Sequence, residues 1–161
     1  MNADDLKELA SRPAWSKEVI VWVGREQGLD TTIAGQPQTT FDVLELLDED
    51  EPLPSEAEER RALLEKRLEK RLLELRPAGP GRLILRVRNA ALLARYGISL
   101  QDFFDYFGSS QTMVILCVDG ATPSAKWQTH LEQQVDYNPD GIVRYLASCL
   151  PDSSRVFREL A

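Results

Sequence analysis

The chain has 161 residues, 43% hydrophobic and 28% charged, with a formal net charge of −7 and a pI near 4.8. That length suits one compact domain, the composition supports a buried core and argues against wholesale disorder, and the negative field disfavours a nucleic-acid backbone as partner. Cys117 and Cys149 lie far apart within apolar runs, which reads as two reduced, buried thiols in a cytoplasmic protein, and no apolar run approaches the ~20 residues that span a bilayer.

In chain order, "ADDLKELASRP" predicts a short helix stopped by Pro13, because the residue before a proline disfavours the helical region. It should lie across the sheet edge or near the mouth of the first strand. "EVIVWV" (18–23) is a nearly continuous β-branched apolar run, the pattern of a parallel strand covered on both faces. Between residues 25 and 40 the glycines, Pro37 and four threonines leave room only for a short helix beginning near Leu29. "FDVLELL" (41–47) is ambiguous between strand and helix, with its first half read as strand.

An acidic loop over 48–54 follows, and Ser55 with Glu58 has the spacing of a capping box. The long helix over about 55–76 carries Leu64, Leu68, Leu72 and Leu75 as a stripe, with acids crowding its start and bases its end. "RLILRVRN" (82–89) predicts a strand, "AALLARYG" a short helix, and "LQDFFDYFG" a helix capped by Ser99 and ended by Gly108. "TMVILCV" (112–118) is a third buried strand. After it, "ATPSAKWQTHLEQQ" reads as mixed loop and helix, "VDYNPDG" as containing a turn, "IVRYLASCL" as helix and "SRVFREL" as a last short helix. Apolar strands separated by helices predict a single three-layer α/β domain over 1–161, with a mainly parallel sheet and flanking helices.

In such sheets the loop after the first strand is a usual place for a phosphate. Here that loop reads "GREQGLDT", which meets the pattern G-x-x-x-x-G-K-[ST] at Gly24 and Thr31, has Gly28 one place early, and puts Asp30 where the lysine belongs. A carboxylate facing a triphosphate turns attraction into repulsion worth ~4 kcal/mol per charge pair at ~4 Å and an effective dielectric of ~20. The end of "LILRVRN" offers Arg86, Arg88 and Asn89 but no metal-holding carboxylate. The fold is thus expected to be P-loop NTPase-like without an intact Walker A motif. Two alternatives stay open: a plain strand-to-helix turn, or an atypical loop that reads phosphate through Gly24, Arg25, Gly28 and Thr31.

The order of elements resembles the small P-loop proteins of bacteriophage-exclusion (BREX) defence systems, the BrxF type. The likeness covers most of residues 18–146. It rests on the first strand and loop, the arginine- and leucine-rich helix, "LILRVRNAALLARYGISLQDFFDYFGSSQTMVILCVDG", and the segment "VDYNPDGIVRYL". With the lysine of such proteins replaced by Asp30, the resemblance implies a degenerate NTPase fold that binds larger components of a defence or nucleic-acid-handling complex.

Other constellations carry less. His130 stands alone with no metal-ligand spacing and no G-x-S-x-G elbow to pair with. Asp119, Asp136 and Asp140 read as turn residues, and Trp15, Trp22 and Trp127 as core. No catalytic residue, metal or cofactor is assigned. The expected function is that of a non-catalytic accessory or regulatory protein touching larger protein subunits. Partner contact is assigned to Leu64, Leu68, Leu72, Arg86 and Arg88, although the leucines are read first as covering the sheet and the arginines as pairing with glutamates of the long helix. The competing readings are an ATPase with an atypical phosphate loop and a nucleic-acid-binding accessory subunit.

Overall fold

In the computed structural model the described residues are 1–16, 18–47, 53–77, 81–118 and 139–159. Helix α1 (Ala3–Ala10) begins at Asn2, whose side chain accepts from the Asp5 N–H while the Asp5 carboxylate accepts from the Asn2 N–H, a complete capping box. Strand β1 (Glu18–Val23) is buried at every position, as its β-branched run requires. Helix α2 (Glu26–Thr32) starts earlier than the glycines suggest and is two turns long. The next segment pairs as β2 (Gln38–Asp42) and then tightens into a 3-10 turn (Val43–Leu46), so only Phe41 and Asp42 of "FDVLELL" are strand.

Helix α3 (Ala57–Leu75) is capped differently from the expectation. Glu56 holds the N-cap with no side-chain cap bond, so the Ser55–Glu58 capping box does not form. Strand β3 (Leu83–Arg88), helix α4 (Ala91–Arg95), helix α5 (Gln101–Phe107) and strand β4 (Thr112–Val118) follow the sequence reading closely. Ser99 is not the N-cap of α5: Leu100 holds that position with no side-chain cap bond, and the Ser99 hydroxyl accepts from the Gln101 N–H from one residue outside it. Helix α6 (Pro139–Ser148) absorbs Pro139, Asp140 and Gly141 into its first turn, where a turn is expected from "VDYNPDG". Proline at the first helical position explains this, since its missing N–H has no intrahelical partner there.

The last element overturns its expectation. "SRVFREL" is not helical: Val156–Arg158 form strand β5, paired in parallel with Val21–Val23. The exposed edge of β1 offers hydrogen bonds at once, without the cost of nucleating a helix, and pairing there takes Phe157 into the core.

All pairings are parallel and the strand order is β2-β3-β4-β1-β5. From β1 the chain crosses to the β2 edge with α2 on one face; the returns β2 to β3, β3 to β4 and β4 to β5 carry α3, α4, α5 and α6 on the other. Reversing direction and face together preserves the hand of the crossovers. The first face packs Ile20, Trp22, Ile115 and Phe157 against α1 and α2. The second packs Val19, Val21, Leu85 and Leu116 against the other helices. Among the described residues no helix is long and apolar enough to cross a membrane.

Candidate functional site

Strands β1 and β4 are neighbours whose onward connections leave on opposite faces, which makes the space beyond their carboxyl ends the topological switch point of the sheet. The loop after β1 is tied down there by backbone bonds. The Gly24 N–H donates to Val118 O at 3.0 Å, and the Glu159 N–H donates to Val23 O at 2.9 Å. Trp22 Nε1 donates to Arg25 O at 3.1 Å, fixing the turn from below.

The anion in this loop is the chain's own. Glu159, just past β5, turns its carboxylate onto the start of α2. Oε2 accepts from the Arg25 N–H at 2.7 Å, and Oε1 accepts from Arg25 Nε at 3.0 Å and Nη2 at 2.7 Å. The Arg25 bonds hold the Glu159 carboxyl below its ordinary range. Its side chain is 15% exposed against 73% for Arg25, so the carboxylate is sunk in the loop and the guanidinium covers it from outside.

Both glycines of the phosphate-like pattern serve this arrangement. A Cβ on Gly24, where φ is +156°, would stand 2.5 Å from Glu159 Cβ, and a Cβ on Gly28 would stand 2.6 Å from Glu159 Cδ. The positions that look like a phosphate cradle therefore make room for an internal carboxylate. Thr31, the nominal metal-binding hydroxyl, donates back to Gln27 O at 3.2 Å, the ordinary i−4 bond of a helical threonine.

Asp30, at the lysine position, is bound by Arg86 Nη1, and Gln38 Oε1 accepts from the same nitrogen at 3.1 Å. Glu26 accepts from Arg88 Nε at 2.5 Å. Arg86 and Arg88 thus pair with α2, not with the long helix. Strand alternation puts both on the first face, and α3 lies on the second. At the end of β3, Asn89 adopts φ +56° and donates from Nδ2 to Asp42 Oδ1 at 2.8 Å, which also accepts from the Leu44 N–H. The Asp42 carboxylate at the end of β2 is thereby committed to capping the 3-10 turn.

Leu64, Leu68 and Leu72 are fully buried against the sheet, so the leucine edge assigned to a partner is core. Trp15 and Trp22 are core as expected. Cys117 is buried, and its thiol is pushed up to about 12 by desolvation, partly offset by the charge of Arg86. Cys149, the residue after α6, is exposed, contrary to expectation, while its apolar neighbours Leu146 and Leu150 take the buried positions. His130, Asp119, Asp136, Trp127, "ATPSAKWQTHLEQQ" and residues 48–52 of the acidic loop lie outside the described residues. Among the described residues no group of three or more metal-ligating side chains converges.

Glu159 is the functional residue that sequence reasoning missed. It sits 134 positions from Arg25, at the end of a segment that reads as helix. A scan against protein-family models, a search of curated proteins and a search of solved structures each return no match to this chain.

Proposed function

We propose that this protein is a non-catalytic α/β subunit of degenerate P-loop type, acting as an accessory or regulatory component of a larger protein complex. The observation that carries the reading is the Glu159 carboxylate lodged at the head of α2, which takes the Arg25 N–H and guanidinium that a terminal phosphate would need. Asp30 in the lysine position, neutralised by Arg86, supports it. So does the end of β3, where Asn89 stands in place of a metal-holding acid. The resemblance of the element order to BrxF-type proteins suggests the setting, a bacterial anti-phage defence complex in the cytoplasm.

Calorimetric titration of the full chain with ATP and Mg²⁺ tests the first half of this reading. Silence at millimolar nucleotide is expected, and micromolar affinity would overturn it. Purification of the tagged protein from its native host tests the second half: a stoichiometric large subunit is expected, and elution of the chain alone would sink the accessory role.

A further inference from the structure

The two edges of the sheet are treated differently. At the β5 edge the outward backbone groups are consumed: the Arg158 N–H donates to Met1 O at 2.8 Å, the amino terminus of Met1 donates to Val156 O at 3.3 Å, and Asn2 bridges Arg158. At the β2 edge nothing comparable occurs among the described residues.

The register fixes which groups are left over. Gln38 pairs with Ile84, and the Ile84 N–H donates to Pro37 O at 2.9 Å. In a parallel ladder this turns Thr39 and Phe41 toward β3 and points the N–H and C=O of Gln38, Thr40 and Asp42 outward. Gln38 and Thr40 are exposed. Such an edge normally carries a lysine, a proline or a covering element. Within β2 the sequence QTTFD has neither lysine nor proline.

We propose that β2 is the seam of a homodimer, in which β2 of a second copy pairs antiparallel with it about a two-fold axis through Thr40. The outward residues are symmetric about that point. Thr40 meets Thr40 of the second copy, Gln38 meets its Asp42, and each pair exchanges both backbone bonds.

The side chains fit the same axis. Gln38 Oε1 is engaged by Arg86 and Asp42 Oδ1 by Asn89 and the Leu44 N–H, which leaves the Gln38 amide nitrogen opposite the remaining Asp42 oxygen. No like charges face each other, and a threonine pair is a favourable cross-strand neighbour. This self-complementarity selects a second copy over an unrelated strand. The proposal is independent of whether the loop after β1 takes nucleotide.

Sedimentation of the full chain across the micromolar range, together with Thr40→Pro and Thr40→Lys, tests the seam. Thr40 donates nothing to β3, so proline there removes only an outward N–H, while lysine places like charges opposite across the axis. The expected result is a concentration-dependent dimer whose dissociation constant rises about tenfold or more in both variants, with unchanged circular dichroism. A wild-type monomer at every concentration overturns the proposal. So does a dimer that persists in Thr40→Lys, the variant that decides the matter should Thr40→Pro not fold.

Discussion

Glu159 binds Arg25 through both carboxylate oxygens and closes the loop after the first strand with the last one. Because Glu159 also donates its backbone N–H to Val23 O, strand β5 and the head of α2 are locked to one another. Glu159→Gln is expected to lower the melting temperature by a few degrees and to speed exchange of the Arg158 and Glu159 amides. Glu159→Ala should do more. The Glu159 carboxyl is held below its ordinary range, so its stabilisation is present above the unfolded carboxylate pKa of about 4.3 and is lost as pH falls through the lower folded value. Wild type and Glu159→Gln should therefore converge in stability on acidification; a constant gap down to strong acid would show that the carboxylate charge is not what holds the strand.

Gly28 offers a sharper probe of the same contact. In a helix, glycine to alanine ordinarily stabilises by up to about 1 kcal/mol. Here the added Cβ would stand 2.6 Å from Glu159 Cδ. Gly28→Ala alone should destabilise or expel Glu159, while in a Glu159→Ala background it should stabilise. That reversal of sign in a double-mutant cycle is the signature of a socket shaped by the glycine. Additive effects in chemical denaturation would mean the two residues do not meet.

How far the sequence speaks for the fold follows from the range of the forces involved. Strands β1 and β4 are legible because each is an apolar run, β3 because Leu83, Leu85 and Val87 alternate with Ile84, Arg86 and Arg88, and α3 because its leucines repeat on one face. β5 is not, since its three residues have no strand signal apart from the β1 edge that receives them. The same applies to the site. Asp30 and the glycines mark a phosphate-like loop, yet what fills it is a glutamate 134 residues on, and no local pattern reports that distance. The pairing of Arg86 and Arg88 with α2 depends on which face the crossover takes, a property of topology and not of spacing.

Arg82 anchors the opposite end of the first face. Its Nη1 donates to Arg12 O at 2.6 Å and Pro13 O at 2.9 Å, its Nη2 donates to Ala10 O at 2.8 Å, and the guanidinium lies 3.9 Å from the Trp15 ring centroid. Ala10 O is an orphan carbonyl at the end of α1 and the other two belong to the turn that follows it, all three satisfied by one planar fork. Arg82→Ala should cost about 2–4 kcal/mol in urea unfolding. Arg82→Lys should recover less than half of that, since an ammonium cannot make the fork; full rescue by lysine would reduce the role to charge alone.

The leucine stripe of α3 gives a test of core against interface. Leu68 is fully buried between α3 and the sheet. Leu68→Ala should destabilise by about 2–5 kcal/mol, the transfer and cavity cost of a buried leucine. Leu73, 40% exposed on the outer side of the same helix, should tolerate alanine within about 0.5 kcal/mol. Similar small losses at both positions would place the stripe on the surface after all.

Asp102 on α5 lies in a field of like charge. Its carboxyl is pushed above its ordinary range by partial burial first, and then by Glu69, Asp105 and Glu65. A raised acid is one whose charged form the fold disfavours. Between the unfolded and folded values the native state binds more protons, so this group makes stability fall as pH rises through that window and leaves a residual penalty at neutrality. Asp102→Asn removes the penalty and should stabilise at pH 7 by a few tenths of a kcal/mol, the scale of one relieved like-charge helix pair. The gain should shrink on acidification, as the wild-type carboxyl takes up its proton earlier than an ordinary aspartate would, and should shrink in high salt, which screens Glu65, Glu69 and Asp105. A loss of stability at neutral pH would mean that the charge of Asp102 is compensated by a contact that outweighs its three acidic neighbours.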